Sequence, residues 1–256
     1  MGPAGRARAR TGPRPDPRRR RPRRHALGGA GDGCLRDGVF DGVVTAPICR
    51  EGLRKAGIGS PAYGFIAALC GASQYAMILR GGGLTVSLAT RHIPLRDVAG
   101  AVTAAAIRDA ALPLHALLRD LGVRRPRIAV CGLNPHAGDG GVLGDEDLRV
   151  IKPAVAALRR SGMDASGPHA GDTVFWHARA GRYDGVVAMY HDQGLAPLKL
   201  VGFADGVNIT AGLRIVRTSP DHGTAFDIAG RGRASAASMT AAVGTAFQLA
   251  RRRRSP

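Results

Sequence analysis

No apolar run in the 256-residue chain approaches the roughly 18 to 20 residues that a membrane-spanning helix needs, because Arg, Asp, Gly or Pro interrupts every apolar stretch. An integral membrane protein is therefore not expected. Also missing are the apolar core of a secretory signal and the Ser-rich amphipathic pattern of a transit peptide, which makes the cytoplasm the expected compartment. The four cysteines, Cys34, Cys49, Cys70 and Cys131, form neither a CxxC pair nor a zinc-finger spacing, as suits reduced thiols without assigned chemistry. No GxGxxG follows a predicted strand, so the commonest dinucleotide fingerprint is lacking.

Acidic residues are scarce: 19 Asp and Glu face 37 Lys and Arg, a formal net charge of +18. Such a balance raises the question of a nucleic-acid partner, and the location of the charge answers it. Residues 1 to 30 hold ten arginines against Asp16, and Arg251 to Arg254 close the chain, which leaves only +5 on everything between. The body is not a basic platform. Arginine runs without interleaved aromatics attract phosphate without reading it, so a nucleic-acid function is not expected. The first 30 residues carry almost no large apolar side chain and are expected to form a disordered arm.

Beyond the arm, strand-like runs alternate with Ala-rich helical stretches, the pattern of an α/β protein. Strands are predicted at 42–45, 75–79, 84–90, 127–131, 185–189 and 215–218, and helices at 63–69, 95–121, 145–161, 172–180 and 235–252. Functional residues in such folds gather on loops at the carboxyl ends of strands. Three such loops each present a histidine: His92, His136 and His191. Three imidazoles could hold a catalytic cation with one position left open for substrate. Their spacing matches no local metal motif, so a structural role for each stays equally open at this point.

The loops themselves say more. Thr45-Ala46-Pro47-Ile48, His92-Ile93-Pro94-Leu95-Arg96-Asp97, Leu133 to Gly141, Tyr190-His191-Asp192-Gln193-Gly194, Gly206 to Thr210 and Arg217 to Ala225 occur in one order. In that order they resemble successive signatures of the 4-hydroxythreonine-4-phosphate dehydrogenase family of pyridoxal phosphate biosynthesis. The resemblance implies a two-lobed α/β fold like that of isopropylmalate dehydrogenase, with the active site in the interlobe cleft of a homodimer and completed by the partner subunit. On this basis residues 31–57 and 231–256 belong to the first lobe and 58–230 to the second.

The resemblance also implies a divalent ion (zinc, magnesium or cobalt) on His92, His136 and His191, with substrate contacts at Lys199, Asn208 and Arg217. The implied reaction is NAD-dependent oxidation of 4-phosphooxy-threonine, with decarboxylation to 3-amino-2-oxopropyl phosphate. Arg suits carboxylate or phosphate as a two-pronged donor and Lys as a point charge. Lys199 is a candidate proton acceptor. Asp172 could orient a ligand or accept a proton, although a helix N-cap is the plainer reading. His222, Gly223, Asp227 and Ile228 lie in a stretch resembling the adenosine-binding loop of the isopropylmalate dehydrogenase group. A carboxylate at Asp227 would accept a ribose hydroxyl and repel a 2′-phosphate, favouring NAD over NADP.

The chain departs from the family pattern in two places. Only 44 residues precede Thr45, fewer than in the family, and the lost strands would leave sheet edges unpaired. Where the family has Gly-His-Thr-Glu-Phe, this chain reads Pro61-Ala62-Tyr63-Gly64-Phe65, so two substrate contacts are replaced. The alternatives are a paralogue acting on threonate or erythronate 4-phosphate or another hydroxy acid, and an inactive truncated remnant.

Overall fold

The computed structural model describes residues 40–55, 57 and 62–254. The arm expected over 1–30, and Cys34, lie outside the described residues. Within them the strands are β1 Gly42–Val44, β2 Ala76–Gly81, β3 Leu84–Leu88, β4 Arg127–Cys131, β5 Asp164–His169, β6 Gly185–Ala188, β7 Val207–Ala211 and β8 Val216–Pro220. The α-helices of six residues or more are α1 Arg50–Lys55, α2 Ala62–Leu69, α3 Ala104–Asp120, α4 Lys152–Arg160, α5 Val174–Arg179, α6 His191–Gly202 and α7 Ala237–Arg254.

All eight strands join one sheet in the order β1-β8-β7-β2-β3-β6-β4-β5. The mixed α/β architecture read from the sequence is present. The sheet runs unbroken from β1 to β5, with β1 parallel to β8 across the boundary expected between the lobes. Period-two alternation gives each strand two apolar faces. Ile78, Ile128, Val130, Val187, Met189 and Ile209 point to one core, where Ile107, Leu114 and Leu117 of α3, Leu158 of α4 and Leu249 of α7 cover them. Leu79, Val86, Leu88, Ala129 and Val186 point to the other, under Phe175 of α5 and Leu195 and Leu198 of α6. No single helix among the described residues is long and apolar enough to cross a membrane.

The helix expected over 95–121 is interrupted. Leu95–Ala101 and α3 meet at 91° because Thr103 adopts an extended backbone and accepts the Ala106 N–H on its Oγ1 at 3.1 Å, an N-cap that restarts the helix. The helix expected from 145 opens with a π turn, Asp147–Ile151, ahead of Pro153, which lacks the donor an α turn would use. None of Cys49, Cys70 and Cys131 forms a disulfide, and burial pushes the Cys131 thiol pKa well up, which makes it inert.

One contact fixes where α6 ends. A Cβ added to Gly202 would meet the Gly81 carbonyl carbon and Gly82 nitrogen at 2.4 Å, so backbone sits on backbone at the β2-β3 turn. Gly202→Ala is expected to cost about 1 to 3 kcal/mol, measured by urea unfolding. An unchanged midpoint would show that this close approach is not needed.

Candidate active site

The carboxyl ends of the parallel neighbours β3 and β6 set the first pair of groups. Their ladder continues past the strands through Ala89 N–H to Ala188 O (2.8 Å) and Thr90 N–H to Met189 O (3.1 Å), and Thr90 Oγ1 also donates to Met189 O at 2.7 Å. This lock brings His92 and His191 side by side, ring centroids 5.3 Å apart. His191 opens α6, and its Nδ1–H donates to Asp192 at 2.6 Å. That hydrogen bond selects the tautomer whose Nε2 carries a free lone pair.

These imidazoles form one wall of a cavity of about 400 Å³ that also receives Lys199 from α6, Asn208 from β7, Arg217 and Ser219 from β8, and Asp221 and His222 beyond it. Ala46, Pro47 and Ile48, which follow β1, close another side. Arg217 is the decisive group. It is 5% exposed, donates to Thr210 Oγ1 at 3.1 Å and Thr45 Oγ1 at 2.7 Å, and pairs with no carboxylate among the described residues. Among the described residues its Nε has no hydrogen-bond partner, nor has the buried Asn208 Oδ1. Burial pulls the Arg217 pKa down to about 10. A buried guanidinium beside Lys199 gives the cavity a positively charged lining that suits an anion.

His136 is not part of this cavity. It lines a second pocket of about 530 Å³ with Asn134, Pro135, Asp172, Tyr190 and Gln193. Gln193 stands between the two: its Nε2 donates to Gly132 O at 2.8 Å while its Oε1 accepts the Met189 N–H at 2.7 Å. Among the described residues of one chain, no three ligand-type side chains converge on a metal-sized point. The three-histidine set therefore arrives as a pair and a single residue.

The His136 loop is held from below and bent from within. Asp147, fully buried, accepts the Leu133 N–H (2.9 Å), the Asn134 N–H (3.1 Å) and the Asn134 amide (3.0 Å). From His136 to Gly140 five residues in succession take positive φ, from 43° to 80°. His136, Ala137 and Asp139 each resist that conformation by about 1 kcal/mol or more, and the Asp147 clamp offsets part of the cost. Asp172 does not cap α5: Thr173 occupies the N-cap position, and Asp172 instead lines the His136 pocket.

His222 and Gly223 border the main cavity and also an apolar pocket of about 430 Å³ formed with Phe203, Ala225, Ile228 and Ala234. The His222 ring is fixed by its Nδ1–H to Gly223 O at 2.8 Å. Asp227 is exposed in the short turn Phe226–Ile228 near this pocket. Ala62 and Tyr63 begin α2, and their side chains lie outside the described residues. Sequence reasoning passed over Thr45, Thr210, Asp147 and Asp221. Three of the four fell within quoted motifs or a predicted strand, yet nothing local distinguished a hydroxyl that orients Arg217 from any strand threonine.

The fold is that of an α/β protein with a candidate small-molecule cavity where the carboxyl ends of β3 and β6 meet β7 and β8. The family model described as pyridoxal phosphate biosynthetic protein PdxA matches residues 24–246, and the chain belongs to that family. It is 51% identical over 225 residues to a 4-hydroxythreonine-4-phosphate dehydrogenase of Beijerinckia indica, covering 88% of this chain and 66% of that protein. The relative from Pseudomonas putida is 49% identical, with 88% and 68% covered. The crystal structure of the Klebsiella pneumoniae enzyme superposes with a TM-score of 0.77 at 45% identity, covering 86% of this chain and 67% of that one. A terephthalate 1,2-cis-dihydrodiol dehydrogenase from Burkholderia xenovorans gives 0.66 at 30% identity, covering 85% and 69%. The chain thus spans about two thirds of the length of these relatives.

Proposed function

We propose that the chain is a metal-dependent, NAD-linked dehydrogenase that oxidises 4-phosphooxy-L-threonine, the β-keto acid product losing carbon dioxide to give 3-amino-2-oxopropyl phosphate. The observation that carries this reading is Arg217, a buried guanidinium with an unused donor in a cavity that also holds Lys199 and a pair of imidazoles. Names of relatives about 50% identical point the same way.

In this reading Arg217 and Lys199 hold the phosphate and carboxylate, Asn208 Oδ1 accepts a substrate N–H or O–H, and His92 and His191 supply two ligands for a divalent cation. Bound there, a cation supplies Lewis acidity that lowers the pKa of the substrate hydroxyl and steadies enolate charge after decarboxylation. The donor set fits in part: the chain offers two converging imidazoles and keeps His136 in the neighbouring pocket. A homodimer in which His136 is supplied by the partner subunit completes it. The apolar pocket beside His222 and Gly223 suits a flat heteroaromatic base, with Ile228 on its wall and Asp227 at hand for a ribose hydroxyl.

The test is NADH formation by the purified protein with zinc, magnesium or cobalt, offering 4-phosphooxy-threonine and threonate 4-phosphate side by side. Turnover of the first supports the reading, and turnover of the second alone moves the chain to the paralogue. Silence toward both from a folded protein sinks it. In the same assay Asp227→Asn should raise NADP use relative to NAD by about tenfold, since the charge that repels a 2′-phosphate is gone. An unchanged ratio would place the ribose elsewhere.

A further inference from the structure

Among the described residues the cavity gathers His92, His191, Lys199, Arg217 and His222, and against them a single carboxylate, Asp221. That side chain is 16% exposed, and its Oδ2 lies 3.6 Å from Lys199 Nζ. Its backbone is held in place: the Asp221 N–H donates to Ser238 Oγ at 3.1 Å, and Ser238 Oγ donates to Gly206 O at 2.5 Å, tying the end of β8 to the first turn of α7. A carboxylate inside an anion socket weakens binding of an anionic substrate, so its use lies in turnover rather than in affinity.

We propose that Asp221 is the proton acceptor of the oxidation, acting through Lys199. The proposal rests on the dehydrogenase reading above. As the substrate C–H gives hydride to the nicotinamide ring, the alcohol O–H breaks and the carbonyl forms. The released proton passes to Lys199 Nζ while Nζ hands one of its own to Asp221 Oδ2, so Lys199 ends with the protons it began with and Asp221 ends neutral. Burial raises the Asp221 pKa above the ordinary carboxylate value, with Lys199 first and then His191 and His222 pulling against it. A carboxylate so held takes a proton more readily than one in water.

Asp221→Asn separates this role from a structural one. The expected result is a fall in kcat of about 100-fold with KM for 4-phosphooxy-threonine unchanged or lower, because a repelling charge has left the socket. Asp221→Glu, which keeps the carboxylate, should hold kcat well above the Asn variant. A rise in KM at constant kcat, or equal loss in both variants, overturns the proposal.

A second readout needs no turnover. Calorimetry of inorganic sulfate binding in buffers of different ionisation heat should show proton uptake by the parent that disappears in Asp221→Asn. Equal uptake in the two overturns the acceptor role. Asp221-dependent uptake in a parent that turns over no substrate sinks the dehydrogenase reading, and with it the acceptor role, and leaves Asp221 only as the proton-binding carboxylate of the cavity.

Discussion

Replacing Arg217 with methionine is expected to cut kcat/KM by at least about 100-fold while leaving the fold as stable as before, or more so. The guanidinium sits 5% exposed with two threonine hydroxyls for company, and its unused Nε donor awaits an acceptor. Two charge-assisted hydrogen bonds to a substrate anion contribute roughly 3 to 6 kcal/mol, which converts to a loss of about 100-fold to 10,000-fold in kcat/KM. Arg217→Lys should fall between, since it keeps the charge but loses the fork.

The stability side has the opposite sign. Burial holds the folded-state pKa of Arg217 near 10, well below its ordinary value, so the unfolded chain binds that proton more tightly. The shift corresponds to a cost of roughly 3 kcal/mol, present in full below pH 10 and relieved only as pH climbs past 10. Methionine removes it and gives up the hydrogen bonds to Thr45 and Thr210, each contributing about 1 kcal/mol. The net expectation is a gain of about 1 kcal/mol, read from urea unfolding at pH 7. A destabilised and inactive Arg217→Met protein would instead make the guanidinium a structural member of the β1-β8-β7 seam.

How far the sequence leads depends on what kind of signal each element carries. β4 reads at its true bounds because Arg127 to Cys131 is a short apolar run closed by Gly132. β5 escapes notice because Gly167 and Pro168 argue against a strand, and the sheet tolerates them only by placing β5 at its edge. α6 is read as a loop for a similar reason. Gly194 and Pro197 look like breakers, yet a Cβ at Gly194 would meet Val86 Cγ1 at 2.8 Å, so the glycine is there to let the helix lie on β3. The histidine loops are legible as strand ends, and the resemblance names Lys199, Asn208 and Arg217. What no local pattern conveys is adjacency: Thr45 and Arg217 are 172 residues apart and meet only because β1 and β8 pair. For the same reason the sequence cannot show that His136, on the loop after β4, opens into a different pocket from His92 and His191, whose loops leave the neighbouring strands β3 and β6.

That separation yields the second large effect. Histidine-to-alanine changes at position 136 and at position 191 should each reduce turnover by about 1,000-fold or more if both rings bind the cation of one reaction. Mixed in equal amounts, unfolded together and refolded, the two inactive proteins should regain about one quarter of the parent activity. Random pairing makes half of the dimers mixed, and each mixed dimer has one site with intact His92 and His191 from one subunit and intact His136 from the other. Its second site lacks both. Metal content should follow the same arithmetic, which separates restored binding from restored folding. If His136 instead swung across Gln193 to join the pair within its own chain, every site in the mixture would lack one ligand and no activity would return. Recovery near one quarter would assign the third ligand to the partner subunit; failure with intact dimers would confine the site to the cavity of a single chain.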